Sequence, residues 1–203
     1  MGGRFISFEG GEGSGKSTQL RRLAARLSAQ DVTVITTREP GGTPGAEDIR
    51  SLLVEGEPGR WDGRVEALLV NAARADHVAR LIRPALAEGK WVLCDRYVHS
   101  TLAYQGAARG LDEAELRRLH AFATGDLWPD LTIVLDIDPA LGLARAAGRA
   151  GGEARFEGEP PAFHKAVRER FLNFPDVAVI PSDAPVDDVT DRVWTVVAER
   201  FGL

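Results

Sequence analysis

The chain has 203 residues, 44% of them hydrophobic and 27% charged, the balance expected of a single soluble globular domain with a substantial core. Its net charge of −5 argues against a general nucleic-acid binder, and no apolar run approaches the roughly 20 residues of a membrane helix. Cys94 is the only cysteine, which excludes an intrachain disulfide, and the first residues do not resemble a signal peptide, so a cytoplasmic protein is expected.

In chain order, the first candidate strand is Phe5–Glu9, followed at once by Gly10-Gly11-Glu12-Gly13-Ser14-Gly15-Lys16-Ser17-Thr18. That run fits G-x-x-x-x-G-K-[ST], a loop whose glycines let backbone amides converge on phosphate oxygens. Lys16 supplies a point charge at the β/γ end, and the Ser17 hydroxyl is placed to ligate Mg²⁺. In the predicted helix Ser17–Ala29, Leu20, Leu23, Ala24 and Leu27 recur at helical spacing, and its positive N-terminus faces the same anions. A Gly/Ser surface turn would explain the small residues but not the lysine. Lysine is scarce here, with only Lys16, Lys90 and Lys165, so one at this position points to a nucleoside triphosphate.

Further strands are predicted at Val32–Thr37, Trp91–Asp95, Thr132–Asp136 and Val177–Ile180. Helices are predicted at Val65–Ala87, Glu113–Thr124, Pro139–Ala147, Pro161–Leu172 and Val186–Arg200. Alternation of this kind implies an α/β fold, a five-stranded parallel sheet flanked by helices. Ligands then sit beyond the carboxyl ends of the strands, where Arg38-Glu39-Pro40 and Asp95-Arg96-Tyr97 emerge beside the phosphate loop. The four histidines have no metal-ligand spacing, and Leu53–Arg64 carries no readable chemistry.

Three features suggest a second anion beside the triphosphate. Asp95 offers a carboxylate near Mg²⁺, and Arg96 a guanidinium near the transferring phosphate. Arg38, Arg50 and Arg74 could present further cations. A glycine-rich segment carrying Arg145, Arg149 and Arg155 has the composition of a small lid near residues 146–158. Singly, each arginine reads equally as a solvated or paired surface residue; together, at strand ends, they suggest charge stabilisation in phosphoryl transfer.

Phe5 to Thr18, Thr37-Arg38-Glu39-Pro40-Gly41-Gly42-Thr43, Asp95-Arg96-Tyr97 and Ser100-Thr101-Leu102-Ala103-Tyr104-Gln105-Gly106 closely resemble bacterial thymidylate kinases over nearly the whole chain. The resemblance implies a three-layer P-loop kinase fold, one nucleoside monophosphate kinase domain over 1–203, and a homodimer. It implies ATP and Mg²⁺, transfer of the γ-phosphoryl group to dTMP, and no nucleic-acid or membrane partner. It places Glu12 by the sugar 3′-hydroxyl and Ser17 and Asp95 at the metal. Glu39 and Arg50 match acceptor-site residues, with Arg50 and Arg96 on the dTMP phosphate, Arg74 on thymine, Thr101 and Gln105 on further base contacts, and Tyr104 against the sugar 2′ position. Gly13 stands where some members carry an arginine, which implies a catalytic arginine drawn from the lid. Arg149 and Arg155 match that pattern best, with one arginine of the stretch alternatively stacking on adenine. Val70 departs from the family, which usually has a phenylalanine there to stack on thymine.

The rival readings are a kinase for another nucleotide or deoxynucleoside, and a nucleotide-dependent switch or binding module. A guanine-reading switch would use Asn/Thr-Lys-x-Asp, and none of the three lysines is followed by x-Asp.

Overall fold

A computed structural model of the chain describes residues 2–147 and 154–203. Among them, β1 (Arg4–Glu9), β2 (Val34–Arg38), β3 (Trp91–Asp95), β4 (Leu131–Asp136) and β5 (Val177–Pro181) form one parallel sheet in the order β2-β3-β1-β4-β5. The central strand β1 is buried on both faces, so it reads as a nearly continuous apolar run.

Alternate side chains feed two separate cores. Ile6, Phe8, Leu93, Ile133 and Leu135 pack against α1 (Lys16–Ser28) and α10 (Val186–Phe201) through Leu20, Leu23, Leu27, Val189 and Val193. Phe5, Val92, Cys94 and Val134 face the other way. Their cover comes from α3 (Gly63–His77) and its continuation, from the segment Val98–Ala108, from α6 (Glu113–Thr124) and from α9 (Pro161–Leu172). Cys94 is a buried free thiol in this core, and burial pushes its pKa up.

The strands lie within two residues of their predicted limits. The helix expected over Val65–Ala87 is instead three segments: α3, a π-helical stretch Val78–Ile82, and α4 (Arg83–Ala87). A second wide stretch, Leu102–Ala108, follows the short α5 (Val98–Thr101) and carries Tyr104 and Gln105. The helix α2 (Pro44–Val54) was not foreseen. Thr43 caps it, accepting from the Ala46 amide, and Pro44 occupies its first turn. The helices α7 (Pro139–Ala147) and α8 (Ala154–Glu157) flank the gap between the two described stretches. No helix among the described residues is long and apolar enough to cross a membrane.

Two buried imidazoles interlock with aromatic rings behind β3. His99 lies edge-on to Trp128 and Phe174, with centroids 5.6 and 4.8 Å away, and His120 edge-on to Tyr97 and Trp128 at 5.6 and 4.9 Å. Burial pushes both pKa values down, that of His120 to about 4. The unfolded chain binds protons at these residues near pH 6.5 while the folded one does not, so folding stability falls with pH from there downward. Glu9 acts oppositely, because burial raises its carboxyl to about 7. Two imidazoles against one carboxyl leave a net loss on acidification. The urea midpoint is expected to fall between about pH 7 and pH 5, and His120→Gln, which does not titrate, to flatten that slope.

Candidate active site

The phosphate-loop motif grows out of β1. Gly15 adopts a left-handed conformation (φ 93°) immediately before α1, which turns the loop into the helix N-terminus. Lys16, almost buried, folds back over the loop and donates to the Gly10 and Gly11 carbonyls at 3.0 and 2.8 Å. The exposed Ser17 hydroxyl donates to Asp95 Oδ2 at 2.5 Å, joining the start of α1 to the end of β3. Beside the loop runs a groove bounded by Gly13, Thr18, Arg145, Ser182 and Val186, where Arg145 donates to the Ser182 carbonyl at 3.1 Å.

A short polar junction links this loop to the second half of the site. Arg96 sits at φ 70°, a left-handed position unusual for a side-chain-bearing residue. Its guanidinium donates to the Gly10 carbonyl at 3.0 Å, to Ser100 Oγ at 3.2 Å and to Glu12 Oε1 at 2.9 Å, and lies over the Tyr104 ring. The Tyr104 hydroxyl donates to the same Glu12 oxygen at 2.5 Å. Burial alone would raise the Glu12 pKa, but the Arg96 and Lys16 cations outweigh it and hold the carboxyl well below its usual range. Behind the turn, buried Glu9 accepts from the Tyr97 amide at 2.8 Å and from Ser100 Oγ at 2.6 Å.

Beyond the junction opens a cleft of about 430 Å³, its solvent-open part included. Its rim combines Glu39, Arg74, Arg96, Thr101, Tyr104 and Gln105 with the apolar Pro40, Leu53, Val70, Tyr97 and Phe156. Val70 and Arg74 stand one turn apart on α3, so both meet the same space. Arg74 is fully buried. It donates to Glu39 Oε2 at 2.7 Å, Thr101 Oγ1 at 3.0 Å and Asn71 Oδ1 at 3.4 Å, and it lines the cleft. Glu39 also meets His77 Nδ1 at 3.0 Å, and His77 Nε2 meets Thr37 Oγ1 at 2.7 Å. Burial alone would raise the Glu39 pKa; Arg74 and His77 lower it instead.

Eight of the sequence-predicted residues thus converge on one cleft: Glu39, Val70, Arg74, Asp95-linked Arg96, Thr101, Tyr104, Gln105 and, through Arg96 and Tyr104, Glu12. Arg50 borders it from α2, donating to the Pro40 carbonyl at 2.7 Å. Two arginines go elsewhere. Arg38, more than half exposed, pairs at 3.0 Å with Glu47, a carboxylate that also accepts from the Gly42 amide, so it braces the loop after β2. Arg155 is fully buried, bonded to Glu66 and the Leu53 carbonyl, so in this structure it anchors the cleft wall and does not face the phosphate loop. Arg149 lies outside the described residues, within the 148–153 portion of the expected lid. Glu9, Glu66 and His77 were not foreseen, whereas Arg145, one of the three arginines of the expected lid segment, lies beside the phosphate loop. Glu9 directly precedes the phosphate loop and His77 follows Arg74 by three residues, yet neither spacing alone announces a role.

Comparison with known proteins comes to the same place. The thymidylate kinase family model matches residues 8–193. The chain is 51% identical over 206 residues to the thymidylate kinase of Magnetococcus marinus, covering 99% of this chain and 98% of that one. It is 52% identical over 206 residues to the thymidylate kinase of Caulobacter vibrioides, covering 99% of each. The crystal structure of thymidylate kinase from Ehrlichia chaffeensis superposes with a TM-score of 0.79 at 32% identity, over 97% of this chain and 100% of that one.

Gly13 has φ 65°, and a Cβ built on it would lie 1.9 Å from the Gly142 carbonyl oxygen; a Cβ on Gly142 would lie 2.3 Å from the Glu12 carbonyl. The loop and α7 therefore touch backbone to backbone. Gly142→Ala is expected to displace the loop, raising the Michaelis constant for ATP several-fold and lowering the melting temperature. Unchanged values in steady-state kinetics and thermal unfolding would show that the contact is slack.

Proposed function

The chain belongs to the thymidylate kinase family and transfers the γ-phosphoryl group of ATP to dTMP, and we propose that the phosphate loop and the adjoining cleft divide the two substrates between them. The observation that carries this division is the Glu12–Arg96–Tyr104 junction, which joins the loop to a cleft rich in base-reading groups.

The acceptor needs no general base, since a phosphate monoester is already anionic above a second pKa near 6. The work is to bring two polyanions together in line and to spread positive charge over the transition state. Lys16 serves the β/γ end of ATP. Arg96, with Arg50 at the cleft edge, serves the dTMP phosphate. Glu12 and Tyr104, hydrogen-bonded to each other, face the sugar, where Tyr104 crowds the 2′ position. Arg74 donates to thymine O4, and Thr101 and Gln105 complete the base contacts. Arg145, in the groove beside Thr18, is the arginine suited to stacking on adenine. With Arg155 held in a buried ion pair, Arg149 is the better candidate for the lid cation.

Ser17 Oγ and the Asp95 carboxylate lie together at the end of β3 and offer only hard oxygen donors, which suits Mg²⁺. They would hold the ion, and when bound it neutralises charge on the β- and γ-phosphates. A homodimer is supported by the exposed Leu68 on α3 and Phe122 on α6, two helices that pack against each other.

The first test is ADP formation with dTMP, dUMP, dCMP, dGMP, AMP and UMP as acceptors. Turnover largely confined to dTMP, with dUMP weaker, is expected, and comparable turnover on several acceptors would sink the division of the base contacts. Lys16→Ala should nearly abolish turnover in a folded protein. Val70 gives thymine an apolar wall without a π-face, a deficit on the order of 1 kcal/mol. Val70→Phe should therefore lower the Michaelis constant for dTMP, and an unchanged or higher value counts against that placement.

A further inference from the structure

Glu66 is wholly buried behind the acceptor cleft, one helical turn before Val70 on α3. Its contacts divide between its two oxygens. Oε1 accepts from Arg109 Nη2 at 3.0 Å and from Arg155 Nη2. Oε2 accepts from Gln105 Nε2 at 3.0 Å and from Arg109 Nε at 3.3 Å. An ionised carboxylate only accepts hydrogen bonds. Gln105 must therefore turn its NH₂ toward Glu66, which assigns the carbonyl Oε1 to the other corner of the amide. Gln105 and Arg74 line the same cleft.

We propose that Glu66 is a specificity-determining positioning residue, which holds the Gln105 amide in one of its two orientations so that the base edge meets an acceptor. This rests on the reading of the cleft as the thymine pocket. Thymine offers a donor at N3 and an acceptor at O4, and Gln105 Oε1 and the Arg74 guanidinium match them in polarity. A cytosine ring reverses both, with an acceptor at N3 and an amino group at position 4. The same pair would then set two acceptors against each other at N3 and two donors at position 4. A glutamine amide left to itself turns over readily and reads either edge. Arg74, which can only donate, discriminates at position 4; Glu66 extends the discrimination to N3.

The test compares kcat/KM for dTMP and 5-methyl-dCMP, which share the 5-methyl group and differ at N3 and position 4. In Glu66→Gln, the arginines keep the oxygen of the new amide on the Oε1 side. Its NH₂ then replaces Oε2 and faces Gln105, which turns its own NH₂ to the base. The preference for dTMP should fall at least about tenfold, mainly through KM, while Glu66→Asp, which still only accepts, retains it. A preference unchanged in folded Glu66→Gln overturns the proposal. Because removing a charge beside two arginines can unfold the chain, proton exchange of the Gln105 side-chain amide in the wild-type protein supplies a second measurement. Slow exchange without substrate is expected, and exchange as fast as that of a solvated amide overturns the lock. Gln105→Met separates the two levels. A preference unchanged there removes Gln105 as a reader of the base, and the pocket reading with it. A preference lost there but kept in Glu66→Gln removes Glu66 alone.

Discussion

Two polyanions have to meet in this molecule, and the Arg96 guanidinium is the point at which the two halves of the site touch. It reaches a phosphate-loop carbonyl, the loop acid Glu12, Ser100 and the Tyr104 ring from a backbone conformation that costs a side-chain-bearing residue about 1–3 kcal/mol. The surroundings over-determine that conformation. The Arg96 amide bonds the Phe8 carbonyl at 2.8 Å, and Glu9 takes both the Tyr97 amide and the Ser100 hydroxyl. Losing one partner of a pair as buried as Arg96 and Glu12 typically costs about 3–5 kcal/mol, because the other charge is stranded. The β1–β3 pairing, Phe8 opposite Asp95, is what brings these groups to one end of the sheet.

The parts of the protein written in consecutive residues were legible without coordinates. The five strands are short apolar runs, and the phosphate loop keeps its chemistry within nine neighbours, Gly10 to Thr18. The helix α2 escaped notice because few of its residues are buried, so its apolar period is faint. Its cap, Thr43-Pro44 with Glu47 following, is the signal that could have found it. The wide turns of Leu102–Ala108 leave no mark on a 3.6-residue pattern.

Charged side chains were harder to place, since sequence reveals a cation but not the carboxylate that claims it. Arg38 and Arg155 read as ligands for phosphate, and Glu47 and Glu66 take them instead. The converse holds for Glu9, Glu66 and His77, whose partners lie dozens of residues away and share no spacing rule with them. Arg74 and Arg155 are fully buried beside acids, an arrangement that secures orientation more than stability. The departure at Val70 also looks different in three dimensions. The cleft has Phe156 and Tyr97 among its walls, so aromatic surface is present even though the usual helix position lacks it.

The backbone contact between Gly13 and Gly142 ties two distant stretches of chain into one steric unit. A side chain of any charge at Gly13 would need the space that the Gly142 carbonyl oxygen occupies. Any side chain added at this point of the loop would require α7 to withdraw first. No substitution at position 142 would open that space, because a backbone carbonyl fills it and glycine already has the smallest side chain.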